Sequence, residues 1–214
     1  MQIHIRPFKT SDATELQSAV LESVGHLSPW LDWATPRYSL GDARRWVNES
    51  RTLWANQSAY RWIITNEKSR RILGSVEISQ SSAGAGLMGY WLRRQALGKG
   101  ICTQAARAAL DYVFQSGLFD QVDLYIDPSN AASLAVAQKL GAELHGEKAD
   151  GISYRGAAKP ALHWRVSAKI LSAQEGPTYG PRSLKPELSR GLTTENATAA
   201  SVYDFRRSPK NARL

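Results

Sequence analysis

The amino-acid sequence predicts an α/β (α+β) domain, and three observations lead there. Short apolar segments separated by polar turns fill residues 60–92. An Ala-rich amphipathic stretch opens directly after a glycine-containing loop at residues 95–100. Strand-like and helix-like patterns then alternate as far as residue 166. The 214 residues, 43% of them hydrophobic, suit one domain with a full core plus an appendage.

Ile3 and Ile5 alternate with polar neighbours and read as a short strand that Pro7 limits. Thr10, Ser11 and Asp12 are all suited to cap a helix running to about Ser23, with Leu16, Val20 and Leu21 on one face. Residues 26–33 form a second short helix or turn. Ser39 and Asp42 open a third helix, whose apolar face uses Ala43, Trp46, Val47, Leu53 and Trp54. The period then changes to that of strands at residues 60–64, 72–78 and 87–92. Polar turns at 66–70 and 81–86 join them into an antiparallel meander. A helix follows from Ile101 to Gln115, stopped by Gly117. A strand at 122–126, a turn at 127–130, a helix closing at Leu140 and Gly141, a strand beginning at 142–145 and a last strand at 161–166 complete the domain.

Bulk properties exclude several classes. Charged residues make up 21%, and no apolar run approaches the roughly 20 residues of a membrane span. The N-terminus lacks the charged-then-apolar layout of a signal peptide, and the single Cys102 allows neither an internal disulfide nor metal-site spacing. A cytoplasmic, metal-free, non-membrane protein is expected. The net charge of +8 divides into +5 over residues 1–172 and +3 over residues 173–214, so the last segment is much more basic per residue. Such a balance suits an anionic cofactor, an acidic protein or RNA, or serves solubility. Periodicity stops near Ser172, and the Gly, Pro, Thr, Asn and Ser that follow predict a segment 173–214 that is disordered or draped on the domain.

The informative loop reads Q-x-x-G-x-G from Gln95 through Ala96, Leu97, Gly98 and Lys99 to Gly100. It stands between a strand and a helix. The first turn of a helix has N–H groups without internal partners, and with the helix dipole these make a seat for a pyrophosphate. Gly98 and Gly100 allow positive φ and close approach of the backbone to an anion. Lys99 adds charge, with Arg93 and Arg94 just before the loop. A Rossmann site is disfavoured because its third glycine would fall at Thr103, and a P-loop because no G-K-[ST] follows. The second element is Asn130-Ala131-Ala132-Ser133, opening a helix that closes on Lys139-Leu140-Gly141-Ala142. By itself Asn130 reads as a helix cap.

This ordered series, together with Gly89-Tyr90-Trp91-Leu92 and the segment His26-Leu27 to Trp33, resembles the GNAT acetyltransferase superfamily over about residues 1–170. The branch it resembles most is that of the ribosomal-protein N-terminal acetyltransferases. The resemblance implies a mixed, mostly antiparallel sheet, flanked by helices and splayed at the cofactor site. It implies acetyl-CoA as co-substrate, with the pantetheine arm against the strand through Tyr90 and Leu92. The pyrophosphate would sit on the amides of residues 95–100 and Ile101, with Asn130 and Ser133 near the arm. In direct transfer an amine attacks the thioester, so a base and a donor to the departing thiolate are wanted. The resemblance places Ser133 near the sulfur, as acid or as hydrogen-bond donor only. Glu77 alternates with Val76 and Ile78 and is the candidate base, facing cleft or solvent. Asp150, on a predicted loop, is a second candidate.

His26 lines the acceptor pocket or caps a turn, and Trp30 and Trp33 are assigned to the acceptor side, with Trp46 and Trp54 mostly in the core. Cys102 is read as a small packing residue rather than a nucleophile. Three functions follow. The first is acetylation of a protein N-terminus, with ribosome association. The second is acetylation of a small amine such as an amino sugar, polyamine or antibiotic. The third is a non-catalytic CoA-binding or ribosome-associated module. A monomer and a homodimer both fit.

Overall fold

In the computed structural model, strand β1 (Ile3–Pro7) leads through one 3-10 turn into α1 (Ala13–Leu21), α2 (Val24–Leu27) and α3 (Leu40–Ala55). Strands β2 (Ala59–Asn66), β3 (Ser69–Gln80) and β4 (Gly86–Leu92) follow, then α4 (Ile101–Gln115), β5 (Gln121–Ile126) and α5 (Ala131–Lys139). A hairpin of β6 (Glu143–Tyr154) and β7 (Ala157–Ser167) and a short α6 (Ala168–Ala173) end the described chain. The structure describes residues 2–66, 69–81 and 84–173. The predicted basic segment 173–214 thus lies, Ala173 apart, outside the described residues, as do parts of the turns at 66–70 and 81–86.

The described strands form one seven-stranded sheet in the order β1-β2-β3-β4-β5-β7-β6. It is antiparallel except for β4 and β5. Period-2 alternation sends neighbouring residues to opposite layers. Trp62, Ile64, Val76 and Ile78 pack on α4, whose inner face is Ala105, Ala106, Ala109, Leu110 and Val113. Ile63, Ile72 and Trp91 pack on α1 and α3 through Leu16, Val20, Ala43 and Val47. Ser39 opens α3 with a capping box, its hydroxyl accepting from the Asp42 N–H at 3.1 Å. The Thr10–Asp12 stretch behaves differently from a side-chain cap. Asp12 precedes α1 with no cap bond, and its carboxylate instead accepts from the Lys9 N–H and from Arg6.

Two expectations are corrected. The strands predicted to begin at 142–145 and to lie at 161–166 are much longer, and they meet in a tight turn at Arg155 and Gly156, both with positive φ. Asp150 therefore sits on a strand, exposed, and not on a loop. Register shifts after Leu144 and after Lys148 break the alternation along β6, and most of this edge strand is exposed. No periodic apolar face exists there to be read.

One feature of the sheet positions the site. The parallel pair β4 and β5 is joined only at Gly86–Val122 and Leu87–Asp123. From Met88 onward the two strands separate, so the sheet opens toward the C-terminal end of β4.

Candidate functional site

The opening between β4 and β5 leads to the loop at 95–100 and the N-terminus of α4. Gly98 and Gly100 have φ of +71° and +69°, and Gly100 is the N-cap of α4 in the left-handed region. A Cβ at Gly98 would meet nothing within 4 Å, and one at Gly100 only the Gln104 amide nitrogen at 3.9 Å. The glycines thus answer to backbone conformation and to open space, not to internal packing. A glycine cap has no side chain, so it leaves the first N–H groups of α4 without the partner a Ser or Asp cap would supply. That is a donor set for a polyanion. Lys99 donates to the Gln95 carbonyl at 2.8 Å, which closes the loop and keeps the ammonium beside it.

Across the opening, the Asn130 side chain caps α5 by accepting from the Ser133 N–H at 3.1 Å. The Tyr90 hydroxyl donates to the Ser133 carbonyl at 3.3 Å, tying β4 to α5. Burial pushes the Tyr90 phenol up, so it remains a donor at neutral pH. His26 reaches from α2 to the Leu92 carbonyl, 2.9 Å from Nε2.

On the α3 side of β3 and β4 is a pocket lined by Leu31, Trp33, Trp46, Tyr90, Trp91 and Glu77. Glu77 is 5% exposed. Its Oε2 accepts from Arg61 Nε at 2.5 Å, and its Oε1 is buried without a hydrogen-bond partner. Burial raises the Glu77 carboxyl, with Arg61 opposing. A buried carboxylate oxygen lacking a donor is uncommon, and this one belongs to a residue of the pocket wall.

The chain matches the acetyltransferase (GNAT) domain family over residues 2–143. It belongs to the GNAT acetyltransferase family. Over 150 residues it is 28% identical to "Probable N-acetyltransferase YjcK" of Bacillus subtilis (strain 168), covering 67% of this chain and 82% of that protein. Its fold is similar to that of RimL, a ribosomal L7/L12 alpha-N-protein acetyltransferase in complex with coenzyme A, with a TM-score of 0.71 at 21% identity, covering 78% of this chain and 94% of that one. It is equally similar to the microcin C7 self-immunity acetyltransferase MccE in complex with acetyl-CoA and AMP, with a TM-score of 0.70 at 20% identity over 78% and 92% of the two chains. The chain is thus an N-acetyltransferase of GNAT type, an acyltransferase.

Within this GNAT domain the predicted residues fall into three groups. Tyr90, Leu92, the 95–100 loop, Asn130 and Ser133 are brought together around the opening. The side chains of Ala96, Ile101 and Leu92 belong to the core, so they are not open to a ligand; Leu97 is exposed. Glu77 and Trp33 meet at the pocket, whereas Trp30 lies on the surface, 38% exposed, and does not line it.

Other readings change. Arg93 does not add charge to the loop. It is buried and paired with Glu15 and Glu22, fixing the end of β4 to α1. Cys102 is partly buried against the core and its thiol is pushed up to about 12, which keeps its reading as a packing residue. Sequence reading missed Leu31, Trp91 and Arg61. Arg61 had a signal, a charge inside an aromatic strand facing Glu77 across the meander. Among the described residues no cluster of His, Cys, Asp or Glu could hold a metal, and no helix is long and apolar enough to cross a membrane.

Proposed function

We propose that this GNAT domain uses acetyl-CoA and transfers the acetyl group directly to the α-amine of a protein N-terminus. The observation that carries the reading is the partnerless Oε1 of Glu77 in a pocket beside the strand where the sheet opens. The amine nitrogen bonds to the thioester carbon while the carbon–sulfur bond breaks. Glu77 takes the amine proton, and the Ser133 hydroxyl donates a hydrogen bond to the departing thiolate. The amides at 95–101 with Lys99 hold the pyrophosphate, and the exposed edge of β4 at Tyr90 and Leu92, with Asn130 opposite, holds the arm.

The pocket favours an acceptor with one amine. Its walls are indoles and a leucine, and its single carboxylate is already balanced by Arg61. A polycation such as a polyamine or amino sugar gains little from it. The β6–β7 hairpin and the segment after α2 meet through the Tyr154 hydroxyl, which donates to the Ser28 carbonyl at 2.6 Å. The likeness to RimL agrees with a peptide acceptor and with ribosome association. The likeness to MccE favours the second reading, a small-molecule amine. Residues 1–172 form the catalytic domain in this proposal, working in the cytoplasm, and 173–214 form a basic appendage.

Release of CoA thiol from acetyl-CoA over a panel of peptides and small amines tests it. Turnover confined to peptides with a free N-terminus is the expected result. Turnover confined to polyamines or amino sugars overturns the acceptor, and CoA binding with no turnover on any acceptor overturns the enzyme reading.

A further inference from the structure

Arg61 is a buried cation in the middle of the sheet, 1% exposed, and it stands directly opposite Glu77 in the β2–β3 register. Trp46, Glu77 and Glu49 are among the groups that hold it. Its guanidinium lies over the Trp46 ring at 3.9 Å from the centroid. Its Nε donates to Glu77 Oε2 at 2.5 Å, and its Nη1 donates to Glu49 Oε2 on α3 at 2.9 Å. Trp46 is both the stacking surface of Arg61 and a wall of the pocket. The network therefore joins helix α3 to the pocket through one planar cation.

This geometry divides the two oxygens of Glu77. Arg61 holds Oε2, which restrains the carboxylate, and Oε1 is buried without a protein donor on a residue that lines the pocket. A buried carboxylate with a lone cation would be held ionised and weakly basic. Glu49 changes that balance. It claims the other end of the guanidinium, adds a negative charge of its own and is the half-exposed member, with 39% of its side chain open to solvent.

We propose that Arg61 is a positioning residue for acetyl transfer: it fixes Glu77 with Oε1 aimed at the acceptor amine, and Glu49 shares its charge so that Glu77 stays a usable base. The proposal rests on the reading of Glu77 as proton acceptor. The charged groups facing Glu77 are Arg61 from β2 and Glu49 from α3; Tyr90, cross-strand partner of Val76, turns its phenol to α5 and stays protonated.

The test is the pH profile of kcat/KM on the full chain, with acetyl-CoA and a peptide acceptor from the panel above, for wild type and for Glu77→Gln, Arg61→Gln, Arg61→Lys and Glu49→Gln. Removing the Arg61 charge makes Glu77 easier to protonate. Arg61→Gln is expected to move the acid limb to higher pH, with a loss of roughly tenfold or more at the acid end and a smaller loss on the alkaline plateau. Arg61→Lys restores part of the limb position. Glu49→Gln, at a half-exposed helix site that tolerates the change, is expected to move the limb the opposite way, to lower pH. A carboxyl 13C NMR titration of Glu77, identified by its absence in Glu77→Gln, should move in the same directions without any acceptor present. A uniform loss of rate across pH in Arg61→Gln, with no movement of the limb in Glu49→Gln, overturns the proposal and leaves Arg61 a packing residue. An acid limb that survives Glu77→Gln instead overturns the reading of Glu77 itself.

Discussion

At the scale of single residues, the most informative positions are those where a side chain is absent or lacks a partner. Gly100 adopts a left-handed conformation at the start of α4 with open space in front of it. We expect Gly100→Trp to lose CoA binding in calorimetry while circular dichroism remains that of the wild type. The indole would occupy the ligand's side of the loop rather than the protein core. Retained CoA affinity would refute the loop assignment. Ser133 has its N–H and carbonyl engaged by Asn130 and Tyr90, which fixes its backbone at the start of α5. Ser133→Ala should lower kcat roughly 10- to 100-fold, the worth of one hydrogen bond to a developing charge, with CoA affinity kept. Wild-type turnover would remove Ser133 from the reaction. The left-handed glycine and the Asn130 cap over Ser133 were legible in the sequence because both are local features. Glu77 was legible only as one face of an alternating strand. Its partner Arg61 was not, because sixteen positions and a turn separate them.

At the scale of elements, the site depends on how β4 is held on one side and released on the other. Gly74 lies opposite Leu92, and a Cβ there would run into the Trp91 carbonyl and the Leu92 side chain. Gly74→Ala is expected to destabilise the fold by about 3 kcal/mol, read as a fall in denaturation midpoint, and to weaken CoA binding because the end of β4 must shift. A variant of unchanged stability and affinity would show that β4 yields freely there. Arg93 fixes the same end of β4 to α1 through Glu15 and Glu22, a tie that no local pattern in the sequence announces. The helices and the meander were legible from apolar period and caps. The β6–β7 hairpin was not, since its length comes from cross-strand pairing interrupted by bulges.

At the scale of the whole molecule, buried charges set the response to pH. Burial by itself would raise the Asp123 carboxyl, but the hydrogen bonds from Arg165 and the contact with His163 outweigh it and hold Asp123 below its ordinary value of 3.8. A depressed carboxylate contributes stability that is complete above the unfolded value and is lost as pH falls through the folded one. Stability should therefore decline below about pH 4, and Asp12 and Asp42 act in the same direction. Glu77 acts oppositely, since burial raises it and ionising it with rising pH costs stability. Asp123→Asn should cost about 3 kcal/mol at neutral pH by stranding Arg165 and should flatten the acid decline, as measured by denaturant midpoints from pH 3 to 7. An unaltered decline would assign it to other carboxylates.

The sequence by itself determined the order of elements, the loop before α4 with its two left-handed glycines, and the family. Each of these is written in a contiguous stretch whose chemistry is local. Only the tertiary structure decided where the sheet opens, that Glu77 faces an indole pocket with one oxygen held by Arg61, and that Arg93 serves the scaffold while Trp30 stays on the surface. Those facts depend on which distant side chains share a buried space, and burial is a property of the assembled layers, not of any segment alone.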